Sequence, residues 1–222
     1  MKTVLKSLLV AGSLLAIAGS ASAANLVVNG GFNNGATVGA PGGGFATLGT
    51  GSNAITGWSI VGGNVDWIQG YWQSSDGDGF SVDLNGNNPG AIAQTISTVV
   101  GQFYSLTFDM SGNPDNFQGE TRVAVIGAGG VTIGSASYTL TGANTKANML
   151  WQSEIFNFTA TSTSTEIRFT SGNGGVNCCY GAAIDNVAVG NGVPEPATWG
   201  LLIVGFGGVG ALARRRRAAA LA

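Results

Sequence analysis

The chain has 222 residues, enough for one domain with a full core; 38 of them are glycine, only 9% are charged and none is histidine. Without histidine the chain holds neither a Ser-His-Asp triad nor a Cys-His pair, and a formal net charge of −2 supplies no basic surface for nucleic acid. Few charges among many small polar residues describe an exported β protein rather than a cytosolic enzyme.

The first 23 residues, MKTVLKSLLVAGSLLAIAGSASA, place Lys2 and Lys6 ahead of an apolar stretch from Ser7 to Ala18 and end on Ala21-Ser22-Ala23. Positive charge, apolar run and small-residue cleavage site in that order predict a secretory signal peptide over 1–23, with the mature chain starting at Ala24. Between Ala24 and Gly192 three basic residues stand against ten acidic ones, a net −7. Such a domain suits water, sugars or divalent cations, and no nucleic acid.

From Ala24 to Gly190, β-like runs alternate with clusters of Gly, Asn, Asp and Ser, and no stretch sustains a helical period. Strands are predicted over 25–29, 54–61, 64–69, 80–85, 91–98, 102–110, 121–127, 135–140, 150–161, 165–171 and 182–189, with 33–44 a glycine-rich surface loop. The clearest alternation sets Tyr104, Leu106, Phe108 and Met110 on one face and Ser105, Thr107 and Asp109 on the other. One buried and one wet face is antiparallel behaviour. Strands of this kind, with no repeat of fixed period, predict an all-β jelly-roll β-sandwich over 24–190.

Within DWIQGYWQ, the rings of Trp67, Tyr71 and Trp72 lie beside Asp66, Gln69 and Gln73. Rings stack on the C–H faces of sugars while amides and carboxylates bond hydroxyls, so Trp67, Tyr71, Trp72 and Gln73 form a candidate glycan platform. The same rings also suit core anchors, the role expected of Trp58 and Trp151. The turn Asp76-Gly77-Asp78-Gly79 offers oxygen ligands for calcium, or else an ordinary Asx turn. Asp83 and Asp109 are a conceivable glycosidase pair, but nothing in their setting singles them out and the domain is expected to be non-catalytic. The Thr-rich tract TATSTST (159–165) is too isolated to make the flat array of an ice-binding surface.

Adjacent Cys178 and Cys179 have Cα atoms about 3.8 Å apart, so a strained vicinal disulfide, buried thiols and intermolecular bridges all stay open. Beyond Val189, GNGVPEPAT is an extended linker in which Pro194 and Pro196 block regular structure. Residues 197–213 are apolar and glycine-bearing, at the short edge of a membrane-spanning helix. Arg214, Arg215, Arg216 and Arg217 follow directly, which orients the span with the domain outside and the arginines in the cytoplasm.

Pro194-Glu195-Pro196, the apolar run and the four arginines together resemble the PEP-CTERM sorting signal, here covering 191–222. The resemblance implies passage through the secretion machinery and a transient stay in the inner membrane. It further implies cleavage by an exosortase and delivery to the cell surface or extracellular matrix, a logic like that of a GPI signal.

NLVVNGGF (25–32), ITGWSIVGGNVDWI (55–68), YWQSSDGDGFSVDLNG (71–86) and AIDNVAV (183–189) resemble the choice-of-anchor C proteins and the related DUF642 domains. That resemblance implies a galactose-binding-like jelly roll such as carbohydrate-binding modules adopt. It also implies a structural calcium between an N-terminal N-G-x-F-E segment and an Asp of the last strand. Here the Asp is Asp185, and Asn33 stands where the Glu is usual. The expectation is therefore an exported, non-catalytic, carbohydrate-binding sandwich with extracellular polysaccharide as its partner. A matrix or adhesion component without a small ligand is the alternative, and a glycoside-active enzyme the remote one.

Overall fold

The computed structural model describes residues 24–36, 43–115, 119–172, 179–192 and 205–206. Within them run β1 (Phe45–Gly49), β2 (Ser59–Gly62), β3 (Asn64–Gln69), β4 (Phe80–Asp83), β5 (Ala91–Ser97), β6 (Phe103–Gly112), β7 (Thr121–Ala128), β8 (Val131–Thr139), β9 (Gln152–Thr159), β10 (Ser164–Ser171) and β11 (Ala182–Asn191). They form a six-stranded sheet in the order β1-β3-β4-β11-β6-β9 and a five-stranded sheet in the order β2-β5-β10-β7-β8. Every pairing is antiparallel. The chain changes sheet at each connection except the β3–β4 and β7–β8 hairpins, which is jelly-roll winding and bears out the all-β sandwich.

Alternation fills the space between the sheets. On β6, Tyr104, Leu106, Phe108 and Met110 are buried while Ser105, Thr107 and Asp109 are half-buried, as their spacing predicts. The Phe108 ring meets Phe169 of the other sheet edge-on at 5.0 Å and stacks within its own sheet on Phe156 of β9 at 6.0 Å, each such pair being worth about 1 kcal/mol beyond its burial. Trp58 is a core anchor as expected, 2% exposed and 5.1 Å from Phe32. On β7 the inward positions are Arg122, Ala124, Ile126 and Ala128. The fully buried Arg122 carries its charge to Glu120 at 2.8 Å.

Three segments depart from the sequence reading, each for a local reason. Residues 25–29 form no strand, because side chains intercept the backbone: Asn25 Oδ1 accepts from Val27 N and Val189 N. Gln94 likewise bonds both N and O of Val28, so an amide side chain stands in for a neighbouring strand. The predicted strand over 54–61 shortens to β2, since Gly57 at φ 84° turns the chain. The unpredicted β1 follows a glycine run that masks a short alternation, with Ala46 and Leu48 buried and turned from Phe45 and Thr47.

Among the described residues no helix is long and apolar enough to cross a membrane. The signal peptide 1–23, Cys178, the Pro-Glu-Pro motif, the apolar run and the arginines lie outside the described residues, apart from 205–206.

Candidate functional site

The outer face of the six-stranded sheet is where the chemistry collects. On β3, Val65 and Trp67 face the core, so Asp66 and Ile68 point outward. Register then aligns Thr47 on β1, Asp66 on β3, Asp83 on β4, Ala183 on β11 and Ser111 on β6 in one row across the sheet. Asp83 is fully buried; its Oδ1 accepts from Asn85 N at 2.8 Å and its Oδ2 from Asn113 Nδ2 at 2.8 Å. Asp66 is 8% exposed and its Oδ1 accepts from the Thr47 hydroxyl at 2.6 Å.

Two carboxylates thus face each other in a poorly hydrated place. Burial pushes the Asp83 carboxyl up to about 7, only partly offset by its hydrogen bonds, and the Asp66 charge adds to the rise. Burial also raises Asp66, with the Thr47 hydroxyl opposing it. The basic residues between 24 and 192 are engaged elsewhere: Arg122 with Glu120, Lys146 with Asp115 and Arg168 with Glu166.

Loops build a second apolar layer over this sheet. Ile68, Trp72, Met149 and Ala183 are buried together, with Phe45, Tyr71 and Trp151 packed against them. The Tyr71 ring meets Phe45 edge-on at 5.1 Å, and its hydroxyl donates to Asp115. Lys146 Nζ lies 3.1 Å from the same carboxylate and 3.7 Å above the Tyr71 ring. Three loops, after β3, β6 and β8, are tied together at this point.

Between the loops and the row of aspartates lies a cleft of about 230 Å³, lined by Phe45, Thr47, Asp66, Tyr71, Asn87 and Asn113 among others. It combines an apolar wall with carboxylate and amide groups held in place by neighbours. A larger hollow of about 510 Å³ lies on the outer face of the other sheet, among Val125, Gly127, Val131, Glu166, Arg168 and Thr170. It has no aromatic wall, and its charges are spent on the Arg168–Glu166 pair, so the smaller cleft is the candidate site.

Of the four platform residues expected from sequence, Tyr71 and Trp72 reach the cleft. Trp67 does not: it is 3% exposed in the main core, and its Nε1 donates to Phe32 O at 2.9 Å. Trp72 is 4% exposed with Nε1 donating to Ser81 Oγ at 2.8 Å, which leaves no ring face open to a sugar. Gln73 is structural, accepting from Met149 N and, through its carbonyl, from Trp151 Nε1. Trp151 therefore sits in the outer layer and not in the main core. Asp83 and Asp109 do not form a pair, since Asp83 faces Asp66 while Asp109 faces Asp185 two strands away.

The residues named for calcium do converge. Asn33 Nδ2 donates to Asp78 Oδ2 at 2.8 Å, Asp76 Oδ1 accepts from Asp78 N, and the Asp185 oxygens accept from Ser75 N and Asn186 N. Burial raises the Asp185 carboxyl to about 7, with Asp76 contributing. Among the described residues, however, no group of three or more His, Cys, Asp and Glu is spaced to hold a metal ion. Asp76 Oδ1 and Asp78 Oδ1 accept from the backbone N of Asp78 and Phe80, two successive Asx turns.

Residues missed in the sequence were Phe45, Asn113, Asp115 and Lys146. Asp66 alone had a signal, its place opposite Val65 and Trp67 in NVDWIQ; Phe45 lies on the unpredicted β1, and the others reach the cleft through loops whose course no spacing records.

Comparison with known proteins finds the following similarities. Halomucin of Haloquadratum walsbyi is 35% identical over 191 residues, covering 84% of this chain, and this chain spans 2% of halomucin's length. A family 35 carbohydrate binding module from Clostridium thermocellum is similar over 66% of this chain and 99% of its own, with 15% identity and a TM-score of 0.43. A family 35 module from Paenibacillus barcinonensis gives 17% identity and the same TM-score and coverage. Residues 192–217 match the PEP-CTERM protein-sorting motif, which marks the chain for export and sorting to the cell surface. Residues 25–190 match the family described as proteins of unknown function, DUF642, and the chain belongs to that family.

Proposed function

We propose that the sandwich is a non-catalytic glycan-binding module, with the cleft beside Tyr71 as its site, which retains an exported chain in extracellular polysaccharide. One observation supports this above the rest. The cleft joins an apolar wall, Phe45 and Tyr71, to polar groups already fixed by neighbours: Asp66 by Thr47, Asn113 by Asp83 and Tyr71 by Asp115. A pyranose offers an apolar C–H face to such a wall and hydroxyl donors to the carboxylate, and preorganised partners lose little entropy on binding. Asp83 is fully buried, with its two oxygens accepting from Asn85 N and Asn113 Nδ2, and in this reading it is a structural group that orients Asn113.

In this reading the signal peptide takes the chain across the inner membrane, the tail holds it there, and an exosortase removes the tail. Retention of the full chain on immobilised neutral polysaccharides tests the site. Tyr71→Ala and Asp66→Ala should lose retention while melting cooperatively; unchanged retention of both would sink the reading. Release of product sugars would replace it with an enzymatic one, and the absence of any saturable ligand with a matrix or adhesion role. Calcium at the Asn33, Asp76, Asp78 and Asp185 corner is a separate proposal, supported if a chelator lowers Tm and refuted if Tm is unmoved.

A further inference from the structure

The two ends of the sandwich differ in charge. β11 finishes at Asn191, and Gly192 N still donates to Phe103 O at 3.0 Å, so the chain leaves the domain beside the start of β6. Around this exit lie the β5–β6 turn, the β7–β8 turn and the β9–β10 turn. Residues 98–102, 128–132 and 160–164 carry no charged side chain, although the domain as a whole is at net −7. They do carry Val99, Val100 and Val131, which are 65%, 59% and 64% exposed.

These turns are tied to one another. Thr98 N donates to Thr163 O, Gly101 N to Ala160 O and Gly129 N to Glu166 O, at 2.8 to 3.0 Å. Thr98 Oγ1 bonds Ser162 O, and Val99 N donates to the Tyr104 hydroxyl. With these backbone donors bonded inside the protein, the turns form a tied, uncharged tip that presents the side chains of the three valines beside the small hydroxyl residues Thr132, Thr161, Ser162 and Thr163.

Four residues, Val193 to Pro196, separate Gly192 from the apolar run that starts at Ala197. A fully extended chain gains at most ~3.6 Å per residue, so the run begins within roughly 18 Å of Gly192, at the same end of the sandwich as the tip. We infer that Val99, Val100 and Val131 form a membrane-facing tip that rests on the lipid surface while the tail is in place. The inference rests on the reading of 192–217 as a membrane-held sorting tail. Exposed apolar side chains gain from burial at the headgroup boundary, and an uncharged end meets no repulsion from anionic lipid. β6 runs ten residues, roughly 33 Å at a strand's rise, from this end to Asn113 at the cleft. The tip would therefore hold the binding cleft away from the membrane.

The test places one environment-sensitive fluorophore at a time on the full chain, in a Cys178→Ser, Cys179→Ser background, reconstituted into phosphatidylethanolamine–phosphatidylglycerol vesicles. Labels go on Val99→Cys, Val131→Cys, Ala143→Cys at the far end, and Val204→Cys in the tail. Headgroup nitroxide lipids should quench the Val99 and Val131 labels about threefold more than the Ala143 label. Equal quenching at the three domain positions, with the tail label quenched, overturns the tip alone. If neither tail nor tip labels are quenched, the membrane-held reading falls and the tip with it. Because these vesicles contain no other protein, a tip that docks on an exosortase or on a second copy shows as unquenched and also overturns the inference.

Discussion

Asp66 and Asp83 stand opposite each other on β3 and β4, and among the described residues no basic side chain pairs with either. The Asp83 carboxyl titrates at about 7 in the fold against an ordinary 3.8. Between those values the folded state binds the extra proton, so this group's contribution to stability is full below about pH 4 and is lost as pH rises through 7. The difference is on the order of 4 kcal/mol. Asp66→Asn keeps an acceptor for Thr47 and removes the facing charge. It should raise Tm at pH 8 and make the fall in stability between pH 5 and 8 shallower, the remainder being due to the burial of Asp83 itself. Melting profiles that overlay those of the unaltered protein across that range would refute the coupling.

Trp67 and Tyr71 lie four positions apart yet should fail differently. Trp67 is buried in the main core and donates to Phe32 O, so Trp67→Ala should cost about 3–5 kcal/mol of stability. Tyr71 is only half-buried at the cleft, so Tyr71→Ala should cost about 1–2 kcal/mol while abolishing glycan retention. Chemical denaturation beside affinity electrophoresis separates the two, and equal stability losses would contradict the assignment.

Lys146 stabilises little but positions the Tyr71 ring. Its pair with Asp115 is 43% and 32% exposed, where such contacts are worth less than about 1 kcal/mol. Lys146→Met should leave Tm nearly unchanged and weaken glycan binding severalfold, and added salt should weaken the unaltered protein in the same way. Calorimetric titration at two salt concentrations checks this; unchanged affinity would reduce the cation to surface decoration.

Strand periodicity made the sandwich legible, and it did so best where side chains do not compete with the backbone. β3 matches its predicted range, and β6 buries the four residues its alternation selects. The segment 25–29 misled because Asn25 and Gln94, distant in sequence, supply the bonds a ladder would have made. Aromatic residues pointed to the right sheet but not to the right face. In NVDWIQ the same alternation that turns Asp66 outward turns Trp67 inward. Asp115 and Lys146 meet Tyr71 only because three loops converge, a tertiary fact with no local signature.

Two glycines should differ sharply on replacement by alanine. A Cβ on Gly30 would lie 1.9 Å from Val187 O, a backbone atom, where Val187 N also donates to Gly30 O at 3.0 Å. The N-terminal segment and the irregular stretch of β11 between Asp185 and Ala188 approach too closely for any side chain there. Gly51 instead has open space around its Cβ position but sits at φ 89°. Gly51→Ala should therefore cost only about 1 kcal/mol of backbone strain. Gly30→Ala must separate two backbones and should cost at least about 3 kcal/mol or prevent folding. Denaturant midpoints of the two variants decide the matter, and a Gly30→Ala protein as stable as Gly51→Ala would show that the N-terminal segment does not clamp β11.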